Sequence, residues 1–134
     1  MPLAINYPTK PNLQNYSYHN QNGRKKRFCE NLEKEILKNL DNPDYQIDDL
    51  CQAMLMSRTH LYRRIKEHLN SSFTEILIHK RINLSENLLL HTSLTISEVA
   101  YQSGFKDPSY FVRVFRKENG CTPKGFRNVH TNTH

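Results

Sequence analysis

Ile96-Ser97-Glu98-Val99-Ala100-Tyr101-Gln102-Ser103-Gly104-Phe105-Lys106-Asp107-Pro108-Ser109-Tyr110-Phe111 decides the fold, because helix starts and a helix stop are written into it. With Thr95 in front, Glu98 completes a capping box. The threonine oxygen accepts from an orphan amide of the first turn while the glutamate reaches back to the cap. Val99 and Ala100 then lie on the inner face of a short helix that ends at Gly104, where a residue without Cβ suits the left-handed C-cap conformation. Asp107 and Pro108 supply the N-cap and the first residue of the next helix, a position where the missing proline amide costs nothing. Phe111, Val114 and Phe115 mark the core side of that helix, Gly120 closes it, and Thr122-Pro123 opens a last short turn containing Phe126. Two short helices joined by a few residues form the helix-turn-helix layout.

The same signals run upstream. Ser72-Phe73-Thr74-Glu75 is another capping box, and Ile76, Leu77, Ile82, Ser85, Leu88 and Leu89 continue a long helix from it to about His91. Ser57 offers the N-cap of a preceding helix with Leu61, Ile65 and Leu69 as its apolar stripe, and Ile47, Leu50, Cys51 and Met54 mark a short helix before that. Phe28, Leu32, Ile36, Leu37 and Leu40 recur at helical spacing up to Asp41-Asn42-Pro43, whose proline disfavours helix in the residue before it. No segment reads as a strand, so the fold class is all-α. Residues 1 to about 23 hold three prolines and Tyr7, Tyr16 and Tyr18 in no regular period, too little apolar patterning to bury. The expected organisation is therefore a flexible arm over 1–27 ending in Arg24-Lys25-Lys26-Arg27, a helical domain over 28–128, and a tail over 129–134. Within the domain we expect a first unit at 28–70, a connecting helix at 72–92 and a second unit at 93–128.

Composition narrows the function. The 134 residues leave no room for a separate catalytic domain beside a substantial core, and 19 Lys and Arg against 13 Asp and Glu give a charge of +6, favouring a polyanionic partner. No apolar run is long enough to span a bilayer and none resembles a leader, so a cytoplasmic location is expected. Cys29, Cys51 and Cys121 lack the paired spacing of a disulfide framework or zinc site and read as free buried thiols. His130 and His134 have no further ligand type near them and read as part of a frayed tail. No cofactor or metal is expected. Glycine-rich phosphate loops, usefully spaced carboxylate pairs and Cys–His arrangements are all missing from the sequence, which argues against an enzyme.

The chain also repeats itself. Ile47, Leu50, Cys51, Leu55 and Met56 match Ile96, Val99, Ala100, Gly104 and Phe105 at a constant offset of 49, and after one extra turn residue the offset becomes 50. There Thr59, Leu61, Tyr62, Arg63, Ile65 and Lys66 match Ser109, Phe111, Val112, Arg113, Phe115 and Arg116. The polar faces are Arg58, Thr59, Tyr62, Arg63 and Lys66 in one unit and Ser109, Val112, Arg113 and Arg116 in the other, neither with a carboxylate. A solvated face usually mixes both signs of charge, whereas a groove-facing surface needs donors for base edges and phosphates.

From about Ile47 to Arg127 these residues resemble the DNA-binding domain of the AraC/XylS family of bacterial regulators. The resemblance is most specific in Ile96–Ala100, Gly104–Phe111, Arg113, Phe115-Arg116-Lys117, Gly120, Thr122-Pro123 and Phe126-Arg127. Ser57-Arg58, Leu61-Tyr62-Arg63, Arg81-Ile82 and Leu88-Leu89 add to it. It implies two homeodomain-like helix-turn-helix subdomains joined by a connecting helix, each placing its third helix in one of two successive major-groove segments of double-stranded DNA. By positional match Thr59, Tyr62, Arg63, Ser109, Val112 and Arg113 face bases, with Arg63 and Arg113 placed to pair bidentately with guanine. Arg58, Lys66, Lys106 and Arg116 are assigned to phosphates, and Arg81 and Arg127 to holding helices together. Leu55, Asn70 and Ser85 stand where the family often has glycine, glycine and alanine. The resemblance further implies an activator that contacts RNA polymerase. No small-molecule effector domain is in view, and the chain is expected to be monomeric in isolation. Two other readings stand beside it: a helical module binding an acidic protein, and the output domain of a longer signal-transduction regulator.

Overall fold

Each stretch of helical periodicity becomes a helix in the computed structural model, which describes residues 23–131. The order is α1 (Gly23–Lys38), α2 (Ile47–Met54), α3 (Arg58–Leu69), α4 (Phe73–His91), α5 (Ile96–Gln102), α6 (Pro108–Asn119) and α7 (Pro123–Thr131), with no strand among the described residues. The caps explain the boundaries. Ser57 Oγ accepts from the His60 amide at 3.1 Å, Ser72 Oγ from Glu75 at 3.1 Å and Thr95 Oγ1 from Glu98 at 3.1 Å. Asp107 Oδ1 accepts from Ser109 at 2.9 Å, with Pro108 at the first helical position. Glu75 and Glu98 return to the amides of Ser72 and Thr95, closing both expected capping boxes.

Two ends differ from the expectation. Helix α1 starts at Gly23, so Arg24–Arg27 belong to its first turns and not to an arm. Helix α7 runs to Thr131, so it is longer than a single turn and takes in residues expected in the tail. The rest of the expected arm, 1–22, and His134 lie outside the described residues.

The described chain divides into two compact units, one of 23–40 and 44–78, the other of 41–43 and 79–131. Phe73–Ile78 at the start of α4 fall in the first unit and the remainder of that helix in the second. In the first unit the core is Phe28, Leu32, Ile36, Leu50, Leu61, Ile65 and Ile76, closed by Tyr45 edge-on to Phe73 at 5.7 Å. Leu37, expected on the inner face of α1, is instead 49% exposed, because the buried stripe runs through 28, 32 and 36 and leaves 37 a step off it. Cys29 is buried, whereas Cys51 and Cys121 are only half-buried.

In the second unit Ile82, Leu89, Val99 and Ala100 are buried, as is a chain of rings. Phe105 meets Phe111 at 5.1 Å, Phe111 meets Phe115 at 5.7 Å, and Phe115 meets Phe126 at 5.4 Å. Burying each such ring stabilises by roughly 1.5–3 kcal/mol, and tilted or edge-on contacts are the favoured aromatic geometry. Two arginines fasten the unit. Arg127 donates to the carbonyls of Leu89 at 3.0 Å, Leu94 at 2.6 Å and Thr92 at 3.2 Å, satisfying groups around the end of α4. Buried Arg81 donates to the Asn42 carbonyl at 2.7 Å. Both arginines thus hold segments together, as expected. Ser85, in place of the family's alanine, is fully buried and returns its hydroxyl to the Ile82 carbonyl at 2.7 Å, which satisfies the group within its own helix.

Candidate nucleic-acid interface

The repeat seen in the sequence is a repeat of structure, and it reaches further than the residues that first showed it. Leu50 and Val99 are buried at matching positions, as are Leu61 and Phe111, and Ile65 and Phe115. Leu55 and Gly104 both take positive φ, 56° and 94°, in the turns between the paired helices, and Asn70 and Gly120 both end the following helices at φ 50° and 76°. Beyond them Ser72 and Thr122 cap α4 and α7 alike, Thr122 Oγ1 accepting from Gly125 at 3.0 Å. Asn70 is at ease in the left-handed region, whereas Leu55 is not.

Burying one stripe of α3 and α6 turns the opposite stripe outward. On α3 the exposed residues are Arg58, Thr59, Tyr62, Arg63, Lys66 and Glu67. On α6 they are Ser109, Tyr110, Arg113, Arg116 and Lys117, with Val112 half-buried between them. The expected base-facing residues of each helix therefore share one face within their own unit, and the only acid on the exposed side of either helix is Glu67, near the end of α3. Lys106 is exposed in the turn leading into α6.

Arg58 and Tyr110 make contacts that were not expected from the sequence. Arg58 is forked on Asp48 of α2, Nε donating to Oδ1 at 2.6 Å and Nη2 to Oδ2 at 2.9 Å. The guanidinium holds the Asp48 carboxyl below the usual carboxylate range, and the carboxylate raises the arginine in turn. The two residues lie ten positions apart across a turn, so no helical spacing links them. Tyr110 packs against Phe105 with ring centres 6.2 Å apart, and the Arg113 guanidinium lies 5.5 Å from the Tyr110 ring centre. A cation over an aromatic face is attracted by the ring quadrupole, so Tyr110 steadies Arg113 from one turn away. The signal that could have found it is the three-residue spacing.

Among the described residues no group of three His, Cys, Asp or Glu side chains could hold a metal, and no helix is long and apolar enough to cross a membrane. What the geometry defines is a protein of double helix-turn-helix type, each unit presenting a polar, cationic helix face. A family model described as a helix-turn-helix domain matches residues 50–128. The chain belongs to the AraC/XylS family of helix-turn-helix transcription regulators. It is 33% identical over 91 residues to a lactose operon transcription activator of Staphylococcus xylosus, covering 65% of this chain and 33% of that protein. A histidine kinase P4 of Formosa agariphila shares 32% identity over 95 residues, 71% of this chain and 7% of that protein. The chain thus spans a third or less of the length of these curated relatives. The crystal structure of the DNA-binding domain of AdpA, a global transcriptional factor, in complex with a target DNA superposes with a TM-score of 0.70. Identity there is 25%, over 74% of this chain and 88% of that one.

Proposed function

We propose that this DNA-binding regulator reads an asymmetric promoter site by placing α3 and α6 in successive major-groove segments and acts there as an activator through RNA polymerase. The observation that carries the reading is the matched pair of outward faces, Thr59, Tyr62, Arg63 and Lys66 against Ser109, Val112, Arg113 and Arg116, each backed by a buried stripe. A single recognition helix reads only a few base pairs, and helix-turn-helix dimers gain specificity from two of them about 34 Å apart along the duplex. One chain with two units supplies both. Arg63 and Arg113 read guanine, Thr59, Tyr62, Ser109 and Val112 complete base contact, and Lys66, Lys106 and Arg116 take phosphates.

The length of the curated relatives supports a second reading of the same chemistry, in which this chain is the output module of a longer signal-transduction regulator. Selection of bound sites from a random duplex library with the purified chain tests the proposal. The expected result is one motif with two blocks about 10 base pairs apart. Arg63→Ala and Arg113→Ala should each cost roughly 1–3 kcal/mol and relax one block only. A single block would refute simultaneous reading, and a folded chain that enriches nothing would refute sequence-specific binding by the chain alone.

A further inference from the structure

The Asp48–Arg58 fork has no counterpart in the second unit, where the matching positions hold Ser97 and Pro108. Helix α6 forms without such a pair, so the fold does not require it. Its members are 60% and 59% exposed, and an ion pair in that setting contributes little to stability because water solvates both partners well. What the pair does fix is direction. A guanidinium has two hydrogen-bonding edges, a side-on edge made by Nε and Nη2 and an end-on edge made by Nη1 and the outer hydrogen of Nη2. Asp48 occupies the side-on edge with both oxygens, at 2.6 and 2.9 Å. The end-on edge is left, and it matches the O6 and N7 acceptors of guanine in the major groove.

Arg58 is also the first residue of α3, directly ahead of Thr59 on the exposed side. The first residues of a recognition helix are those that meet base edges. A loose arginine there would find whichever phosphate is nearest and add affinity for every sequence alike. While the fork is formed the arginine is held in one orientation, so less rotamer freedom remains to be lost on base contact.

We infer that Asp48 is a specificity-determining positioning residue: it presents Arg58 end-on to a guanine at the edge of the first unit's site, turning a phosphate-type cation into a base reader. This rests on the reading above that α3 enters the major groove, and it replaces the phosphate role that the sequence assigned to Arg58.

The test uses the whole chain, its selected site, the variants of that site at every position, and a random-sequence duplex, over a salt titration. Arg58→Ala should abolish the preference for guanine at one position, a loss of roughly tenfold in discrimination, and leave the preferences read by Arg63 and Arg113 intact. Asp48→Asn, which keeps the side chain's shape and its place on an exposed surface, should relax that same position. It should also steepen the salt dependence on the random duplex by about 0.9 in log–log slope, as the released guanidinium takes a phosphate. If Arg58→Ala weakens all sequences equally and flattens the slope by about 0.9, Arg58 is a phosphate contact and the inference falls. It falls equally if Asp48→Asn leaves the guanine preference unchanged, or if neither substitution alters it. Failure of the DNA reading itself looks different: the unsubstituted chain, folded by circular dichroism, then selects no motif before any variant is made.

Discussion

Leu55 is the residue that fits its surroundings least. It holds φ 56°, a region where the Cβ of any non-glycine residue crowds the following carbonyl at a cost of roughly 1–2 kcal/mol, and it is 91% exposed, so little packing offsets that strain. The equivalent residue of the second unit, Gly104, takes φ 94° with no Cβ to crowd. Leu55→Asn is therefore expected to stabilise the protein by about 1 kcal/mol, since asparagine enters the left-handed region readily without the chain entropy that glycine adds to the unfolded state. Leu55→Ala should give nothing, because alanine keeps the Cβ. Thermal unfolding of the two variants beside the parent separates the cases. A lowered melting temperature for Leu55→Asn would mean that the leucine side chain holds something in place, and the strain argument would fail.

At the scale of elements, α1 meets α3 through a small cluster that couples packing to pH. The His68 ring is edge-on to Phe28 at 5.4 Å, and Arg64 lies over the same Phe28 ring at 4.3 Å with Nη2 3.5 Å from His68 Nε2. Burial, then the charges of Arg64 and Lys25, lower the His68 pKa, against an opposing pull from Glu67. A histidine lowered in the folded state binds its proton more readily when unfolded. Its contribution is thus complete above the ordinary histidine value near 6.5 and is lost as pH falls through the lowered one. The melting temperature should drop between pH 7.5 and 5, and drop less in His68→Gln; equal drops in both proteins would remove His68 as a cause. The meeting of Phe28 with Arg64 and His68 was not legible in the sequence, because the two helices come together only after the chain has turned twice. The caps were legible, since Ser57, Ser72, Thr95 and Asp107 act on amides two or three residues away. The start of α1 was not, because Arg24–Arg27 carry no apolar residue to extend the periodic signal. Tyr45 was missed for a related reason. It is buried from a non-helical segment, where burial raises its hydroxyl to about 12 and no period announces it. For the candidate site, the outward faces of α3 and α6 followed directly from the buried stripes. The Asp48–Arg58 fork lay beyond reach, because it depends on how a turn folds back.

For the molecule as a whole, the charge of +6 matters less than how its cations are used. Duplex DNA holds condensed counterions, and each phosphate neutralised by the protein releases about 0.9 of one in the salt dependence of binding. If Lys66, Lys106 and Arg116 are the phosphate contacts, replacing all three with alanine should flatten the log–log slope on a random duplex by about 2.7. Between 50 and 200 mM salt the unsubstituted chain should then lose about 40-fold more affinity than the triple variant does. Relative preference among sequences should survive in that variant, because the base-facing set of Thr59, Tyr62, Arg63, Ser109, Val112 and Arg113 is untouched. Arg63→Ala and Arg113→Ala make the reverse pair, changing preference while leaving most of the slope. Crossing the two sets of variants on the selected site and on a random duplex separates charge from readout. A triple variant with an unchanged slope would take phosphate contact away from these three residues. If the same variant also bound an acidic polypeptide more weakly than the parent does, the basic faces would belong to a protein partner instead of to DNA.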